Sequence, residues 1–242
     1  MNKGRRKHST MNAKKLAFDA FTPTHSFFTF HFSLFIVSLQ TESRAPNIMP
    51  LFGLTGGIGS GKSVIAEGLR RLGYAVYDSD REAQRIMVEN PCVRSRIELL
   101  FGSDIYTGNC LNRKEVARQV FTEADLLERL NNIVHPAVGF DLSEWAKRQT
   151  GICFVESAIL FESGLDRMCT TVVCVSAPLP VRIARVVKRD HTTEAQVRAR
   201  IKSQMSEDEC VRRSGLTVIN DGQTEISNLC LQIQNFCSTF AG

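Results

Sequence analysis

A glycine-rich segment with one lysine and one serine carries the clearest chemical signal in this chain. Residues 56–63 read GGIGSGKS and fit the pattern G-x-x-x-x-G-K-[ST] at every fixed position. Glycines let the backbone wrap tightly and turn N–H groups inward, where they bind polyphosphate together with a helix N-terminus. Lys62 can reach the outer phosphates, and the Ser63 hydroxyl can ligate Mg²⁺. The predicted nucleotide-binding residues are Gly57, Ile58, Gly59, Ser60, Gly61, Lys62, Ser63 and Val64.

Two carboxylates follow the next apolar run. Residues 74–78 end in Asp78, and Asp80 follows two positions later. Ligands of open α/β sheets sit at the carboxyl ends of the strands, so both acids should face the crevice of the phosphate loop. Asp80 suits a general base or an anchor for an acceptor hydroxyl, and it equally suits the N-cap of a helix beginning near Arg81. Both interpretations stay open at this point.

The elements that position these residues alternate between apolar runs and helical patterns. Short buried strands are predicted at residues 51–55, 74–78, 151–156, 171–177 and 216–219. Residues 91–150 interrupt the alternation with apolar residues at helical spacing, so we predict a helical insertion between the second and third strands. Within it, Pro136 should break or kink a helix after His135.

Composition separates residues 1–48 from residues 49–242. The first segment holds seven Lys or Arg and two acids, which accounts for the whole formal net charge of +5 among 242 residues. The remainder is formally neutral, and we expect no nucleic-acid partner. The apolar run at residues 27–39 is too short to span a bilayer. Residues 1–48 are therefore interpreted as sequence before a start at Met49, as a targeting segment or as an unstructured extension.

The eight cysteines include no C-x-x-C pair and no zinc-ligand spacing. Several of them lie in apolar segments, so we interpret them as buried small hydrophobic residues in a reducing compartment, the cytoplasm. No apolar run reaches 18 residues, and no membrane association is expected.

Several further motifs, in order along the chain, resemble those of the dephospho-coenzyme A kinase family. The resemblance covers about residues 51–240 and begins with the glycine-rich loop and the D-x-D at 78–80. The later matching segments are Leu111–Arg113, Val120-Phe121, Ile133–Pro136, Ile159–Gly164, Arg185–Asp190, Arg200-Ile201 with Gln204, and Ile219–Gly222. The family more usually has Asp followed by Pro where this chain has Glu156-Ser157-Ala158.

The resemblance implies an α/β fold: a three-layer α/β/α P-loop NTPase fold with a five-stranded parallel sheet, a helical insertion at about 91–150 and a mobile lid at about 188–212. It implies ATP-dependent phosphorylation of the ribose 3′-hydroxyl of dephospho-coenzyme A, giving coenzyme A and ADP in the last step of coenzyme A biosynthesis. Residues 49–242 would then be one P-loop kinase domain. A monomer or weak homo-oligomer is expected.

The resemblance also assigns roles to side chains. Asp80 would accept or orient the hydroxyl proton with Asp78 supporting it, and His135 would contact the acceptor. Ser63 and Glu156 would hold Mg²⁺. The remaining residues would stabilise the transferring phosphoryl group (Lys62, Arg185, Arg189 and Arg200) or lie near the adenine (Asn220 and Gly222).

Two other functions compete with this one. Another small nucleoside or nucleotide kinase would share the loop and the lid but take a different acceptor. A GTPase-like switch would need a base-reading N-K-x-D motif, which the sequence lacks.

Overall fold

The computed structural model describes residues 50–240, so the expectations for residues 1–48 lie outside the described part of the chain. Five parallel strands form one sheet in the order β2-β5-β1-β6-β7. Its strands are β1 (Leu51–Thr55), β2 (Ala75–Asp78), β5 (Cys153–Glu156), β6 (Thr171–Ser176) and β7 (Leu216–Ile219). The five-stranded parallel sheet predicted from the apolar runs is confirmed.

Helices cover both faces of this sheet. They are α1 (Lys62–Arg71), α2 (Ser79–Glu89), α3 (Pro91–Phe101), α4 (Arg113–Thr122), α5 (Ala124–Ala146), α6 (Leu179–Asp190), α7 (Glu194–Lys202), α8 (Glu207–Arg213) and α9 (Ile226–Ser238). Alternate residues of β1 enter different cores: Phe52 and Leu54 pack with α1 and α9, whereas Leu51 belongs to the core on the other face. Both faces of β1 are covered, which agrees with its largely apolar sequence. The three-layer arrangement is confirmed.

The insertion between β2 and β5 contains helices α3, α4 and α5 but is not purely helical. A short antiparallel ribbon pairs β3 (Tyr106–Thr107) with β4 (Cys110–Leu111). The break expected at Pro136 is wrong, because α5 continues through it. Proline removes one backbone donor, but Val134, Val138 and Leu142 on the same helix are buried in the core and hold both halves in place.

The segment expected to form a lid, at about 188–212, runs from the last residues of α6 through α7 into α8. Pro178 occupies the N-cap position of α6, and Pro180 lies in the first turn, where prolines are common. Helix α6 ends at Asp190, and the next residue, His191, is left-handed with a φ of 51°. Thr193 then forms a capping box with Gln196 at the start of α7. Val197 of α7 packs against Val186 of α6 in a small apolar cluster, so the two helices form one unit.

All eight cysteines are free thiols. Five are buried and Cys169 is half-buried, as expected, but Cys92 and Cys110 are exposed, so the prediction of burial is wrong for these two. Both lie on the insertion, where the surface positions of α3 and β4 face solvent.

Candidate active site

The glycine-rich loop connects the carboxyl end of β1 to the first residue of α1, so its backbone surrounds a helix N-terminus. Gly61 is left-handed at φ 91°, and a Cβ there would lie 2.1 Å from Nδ2 of Asn220. Gly59 is also left-handed at φ 81°, and a Cβ there would lie 2.5 Å from the carbonyl oxygen of Arg182. Only glycine therefore fits these two positions without strain.

Lys62, Ser63 and Glu156 form one hydrogen-bonded group beside the loop. The Nζ of Lys62 and the Oγ of Ser63 each donate to Oε1 of Glu156 over 2.8 Å. Glu156 is 4% exposed and ends β5, the strand adjacent to β1. Arg70 Nη2 lies 3.7 Å from the other carboxylate oxygen, so the buried charge of Glu156 is compensated by two cations.

The two aspartates after β2 have different structural roles. Oδ1 of Asp78 accepts a hydrogen bond from the backbone nitrogen of Arg81 over 3.0 Å, so Asp78 is the N-cap of α2. The alternative in which Asp80 caps a helix starting near Arg81 is wrong, because α2 begins at Ser79 and Asp80 lies in its first turn. The Asp80 side chain is therefore not used as a cap.

Asp80 lies in the electrostatic field of the loop. The surrounding protein desolvates its carboxyl and raises its pKa, although the residue remains open to the solvent of the cleft. The Lys62 ammonium opposes this rise, while the negative charges of Asp78 and Glu156 add to it.

Arg185 and Asn220 hold the outer side of the loop. Arg185 Nη1 donates to the carbonyl oxygens of Ser60 (3.3 Å) and Asn220 (3.1 Å), and Nη2 donates to Oδ1 of Asn220 (3.1 Å). The buried Asn220 in turn donates from Nδ2 to the carbonyl oxygen of Ser60 over 2.9 Å. Gly222 follows two residues later, with its backbone at φ 90° and near the same guanidinium.

Arg189 and Arg200 converge on Asp190. Arg189 Nε donates to Oδ1 over 2.7 Å, and Arg200 Nη1 donates to Oδ2 over 2.8 Å. Both hydrogen bonds lower the pKa of Asp190. Arg189 also lines the cleft above the phosphate loop, whereas Arg200 is not among its lining residues.

Ile58 joins the phosphate loop to the lid segment through both of its backbone polar groups. Its nitrogen donates to Oε1 of Gln204 over 2.9 Å, and its carbonyl oxygen accepts from Nε of Arg182 over 3.0 Å. Its side chain packs against the apolar cluster of α6 and α7, which includes Val186 and Val197.

Arg182 is a buried cation beside the phosphate loop, and Glu207 compensates its charge. The residue is 4% exposed, and its Nη1 donates to Oε2 of Glu207 over 2.7 Å. The other oxygen of Glu207 accepts from the Ser176 hydroxyl.

Gln204 and Arg182 are the contacts that sequence reasoning missed. In the sequence, Gln204 stands out only as one residue of a weak motif, Arg200-Ile201 with Gln204. Arg182 belongs to a run of basic residues that normally forms a solvated helix face, and the only sequence signal for its burial is the apolar Ile183 beside it.

Two cavities meet at Asp80. A cleft of about 580 Å³ is lined by the loop together with Asp80, Arg185 and Arg189. A second, mostly apolar pocket of about 190 Å³ lies between α2, α5 and the segment after β5, and both Asp80 and His135 line it. Burial lowers the pKa of His135, which favours the neutral imidazole.

The donor set suits a nucleotide with Mg²⁺. Mg²⁺ prefers oxygen ligands and usually takes only one or two from protein, and the Ser63 hydroxyl and the Glu156 carboxylate provide these oxygens side by side. Among residues 50–240 no group of three or more His, Cys, Asp or Glu side chains could hold a metal ion without such a substrate. Within the same residues no helix is long and apolar enough to cross a membrane.

Parallel β-strands around a G-x-x-x-x-G-K-S loop, with a helical insertion and a following helical segment that contacts the loop, define a P-loop kinase. The profile of the family "Dephospho-CoA kinase" matches residues 50–225. The chain belongs to the dephospho-CoA kinase family.

Individual relatives agree with this assignment. The chain is 42% identical over 160 residues to a dephospho-CoA kinase of Porphyromonas gingivalis, covering 66% of this chain and 79% of that one. It is 43% identical over 180 residues to a dephospho-CoA kinase of Salinibacter ruber, covering 72% and 90%. The crystal structure of TT1252 from Thermus thermophilus superimposes with a TM-score of 0.70 at 34% identity, covering 78% of this chain and 98% of that one.

Proposed function

We propose that this protein transfers the γ-phosphoryl group of ATP to the ribose 3′-hydroxyl of dephospho-coenzyme A, giving coenzyme A and ADP in the last step of coenzyme A biosynthesis. The observation that carries the proposal is the position of Asp80, which lines both the loop cleft and the apolar pocket of the insertion. A carboxylate at that junction can touch an acceptor hydroxyl and face the terminal phosphate of a nucleotide at the same time.

The nucleotide would bind through the loop residues Gly57 to Val64, with Asn220 and Gly222 at its adenosine end. Arg185 and Asn220 hold the carbonyl oxygen of Ser60, and the N-terminus of α1 would offer its backbone N–H groups to the phosphate oxygens. A bound Mg²⁺, held by Ser63 and Glu156, would neutralise phosphate charge and orient the outer phosphates.

Lys62 would leave its contact with Glu156 for the β- and γ-phosphates. The distance of 2.8 Å between Nζ and Oε1 makes this ion pair the resting position of the side chain. Its ammonium would stabilise the charge of the transferring group, which is most of what a phosphoryl-transfer enzyme must supply.

Asp80 would accept the proton of the 3′-hydroxyl. The oxygen of that hydroxyl would then attack the γ-phosphorus, and ADP would depart. Its raised pKa improves its strength as a base relative to an ordinary aspartate. Asp78 would support this position by fixing the first turn of α2.

The acceptor would bind in the pocket shared by Asp80 and His135. The pocket is mostly apolar, which suits a flat adenine ring, and a neutral His135 can donate one hydrogen bond and accept another.

Closure of the lid at about 188–212 would carry Arg189 and Arg200 toward the phosphates. Their guanidinium groups would then exchange their contacts with Asp190 for contacts with phosphate oxygens. Free thiols agree with a cytoplasmic enzyme.

Purified protein with Mg²⁺ and ATP, offered dephospho-coenzyme A, adenosine, nucleoside monophosphates and shikimate separately, tests the proposal. We expect ADP release with dephospho-coenzyme A alone, and a product whose mass and fragmentation place the new phosphate on the 3′-oxygen. Lys62→Met is the control for contaminating kinases. Release of ADP with a nucleoside but not with dephospho-coenzyme A would favour the competing nucleoside kinase.

A further inference from the structure

Two buried thiols face each other where the segment after α7 returns to the sheet. Cys174 lies on β6 and Cys210 on α8, and their Sγ atoms are 3.1 Å apart. Cys174 is 1% exposed and Cys210 is 8% exposed. Within residues 50–240 this is the one cysteine pair whose sulfur atoms form a hydrogen bond with each other. A disulfide requires about 2.05 Å, so a shift of roughly 1 Å would bring the sulfurs to bonding distance.

The two thiols connect functionally different parts of the fold. Cys174 pairs with Thr55, the last residue of the strand that leads into the phosphate loop. Helix α8, which carries Cys210, begins with Glu207, which binds the buried Arg182. It starts three residues after Gln204, which binds Ile58. Helix α8 is therefore the point at which the lid segment is attached to the sheet.

The two thiols differ in their access to an oxidant, because Cys210 is the more exposed of the two. The contact with Cys210, followed by burial, raises the pKa of Cys174. A thiolate is the nucleophile in thiol oxidation. Both cysteines line a small cavity together with Gly56 and Gln204, so a small oxidant in that cavity would lie beside Cys210.

We propose that Cys174 and Cys210 are a redox modification site, which a hydroperoxide converts to a disulfide that fixes the attachment of the lid segment. The Cys210 thiolate attacks the peroxide oxygen, the O–O bond breaks, and the alcohol or water leaves with a proton, giving a sulfenic acid. Cys174 then attacks the Cys210 sulfur, and the expelled hydroxide leaves as water with the Cys174 proton. Two thiols are oxidised and one peroxide is reduced.

The disulfide would make the joint between β6 and α8 covalent. Any movement of Gln204 and the Arg182–Glu207 pair relative to the phosphate loop would then be restricted. Lid movement limits turnover in many enzymes, so the oxidised protein turns over more slowly. This last consequence rests on the proposed kinase function, whereas formation of the disulfide does not.

The experiment uses the full chain in a Cys92→Ser, Cys110→Ser background, which removes the exposed thiols and prevents disulfides between molecules. The protein is treated with hydrogen peroxide, desalted so that no oxidant reaches the thiol of the substrate, and digested without reductant. We expect one new cross-linked peptide joining Cys174 to Cys210, which dithiothreitol removes. Cys210→Ser and Cys174→Ala in the same background are the matched variants.

Three measurements decide the outcome. Peptide mapping must find the cross-link, and its absence or a different pairing overturns the proposal regardless of activity. Because the bond closes a loop of 36 residues, the oxidised protein should melt about 5 °C or more above the reduced protein. Turnover should fall at least about fivefold on oxidation and recover with dithiothreitol. If peroxide lowers the turnover of Cys210→Ser by the same factor, the disulfide is not the cause of the loss. A protein that forms the disulfide but never phosphorylates dephospho-coenzyme A contradicts only the proposed function.

Discussion

The side-chain oxygen Oε1 of Gln204 accepts a hydrogen bond from the backbone nitrogen of Ile58 over 2.9 Å, across 146 residues of sequence. This contact ties the end of the lid segment to the middle of the phosphate loop. Since Arg182 holds the carbonyl oxygen of the same residue, the peptide groups of Ile58 are fixed from two sides. The loop is thereby ordered before any phosphate arrives, and that order depends on residues far from it in sequence.

Replacing Gln204 by leucine should therefore weaken nucleotide binding more than chemistry. Loss of one hydrogen bond is worth about 1 kcal/mol, so we expect KM for ATP to rise roughly fivefold with a smaller change in kcat. Steady-state kinetics at saturating acceptor measures both constants. Gln232→Leu, at an exposed position of α9, is the matched control. An unchanged KM for ATP in Gln204→Leu would show that the contact does not order the loop.

Asp78 and Asp80 can be separated by the same substitution at each position. Asparagine still accepts the hydrogen bond from Arg81, so Asp78→Asn keeps the cap of α2. Asp80→Asn removes the proposed base, and we expect its kcat to fall by about 100-fold or more, well beyond the loss in Asp78→Asn. Single-turnover rates with both substrates saturating make the comparison. Near-normal rates in Asp80→Asn would contradict its role as the base.

The pH dependence should report the carboxyl of Asp80. Only the ionised form accepts a proton, so kcat/KM should rise with pH through the raised pKa of Asp80 and then level off. The charge of Asp78 contributes to that rise in pKa. In Asp78→Asn, the rise of kcat/KM should accordingly occur at a lower pH than in the unsubstituted protein.

His135 lines the same pocket, and burial lowers its pKa. We therefore include His135→Asn as the control for the pH profile. If the rise of kcat/KM with pH disappears in His135→Asn and keeps its position in Asp78→Asn, the titrating group is His135 and not Asp80.

Much of this fold could be predicted because its determinants are local. The apolar run at 51–55 and the glycine-rich pattern that follows it can be recognised within a few residues, so β1 and the phosphate loop are predicted at the observed positions. The same reasoning failed at Pro136, where burial of α5 against the core outweighs the local preference of proline.

The contacts of the site depend on distant residues and could not be predicted in this way. Whether Asp78 or Asp80 caps α2 is decided by where β2 ends. The burial of Arg182 requires Glu207, 25 residues further along the chain, and a basic side chain in a run of basic residues does not reveal that partner. Similarly, Lys62 meets Glu156 only because β5 lies beside β1.

Lys62→Met should abolish most of the activity while the protein stays folded. The variant keeps the length of the side chain but cannot stabilise phosphate charge, so we expect kcat to fall by about 100-fold or more. Ser63 and Arg70 still face Glu156, which limits the loss of stability. Lys188→Met, at an exposed lysine of α6, is the control and should keep normal kcat. Circular dichroism and kcat together test this prediction, and a kcat close to normal in Lys62→Met would contradict it.

Arg182→Met should destabilise the protein strongly, because it leaves Glu207 without its cation and the Ile58 carbonyl without a donor. Only Arg182 is fully buried in this pair, and solvent reaches Glu207, so removing the cation and the donor to Ile58 costs about 2 kcal/mol, which corresponds to a fall in melting temperature of roughly 4–8 °C in a domain of this size.

Glu207→Gln is the complementary change at this pair. Its amide oxygen can still accept from Arg182, so it should be milder than Arg182→Met. The double variant should recover part of the loss, since no buried charge then lacks a partner. Thermal melts of the four proteins complete the cycle, and strictly additive losses would show that Arg182 and Glu207 do not stabilise the loop as a pair.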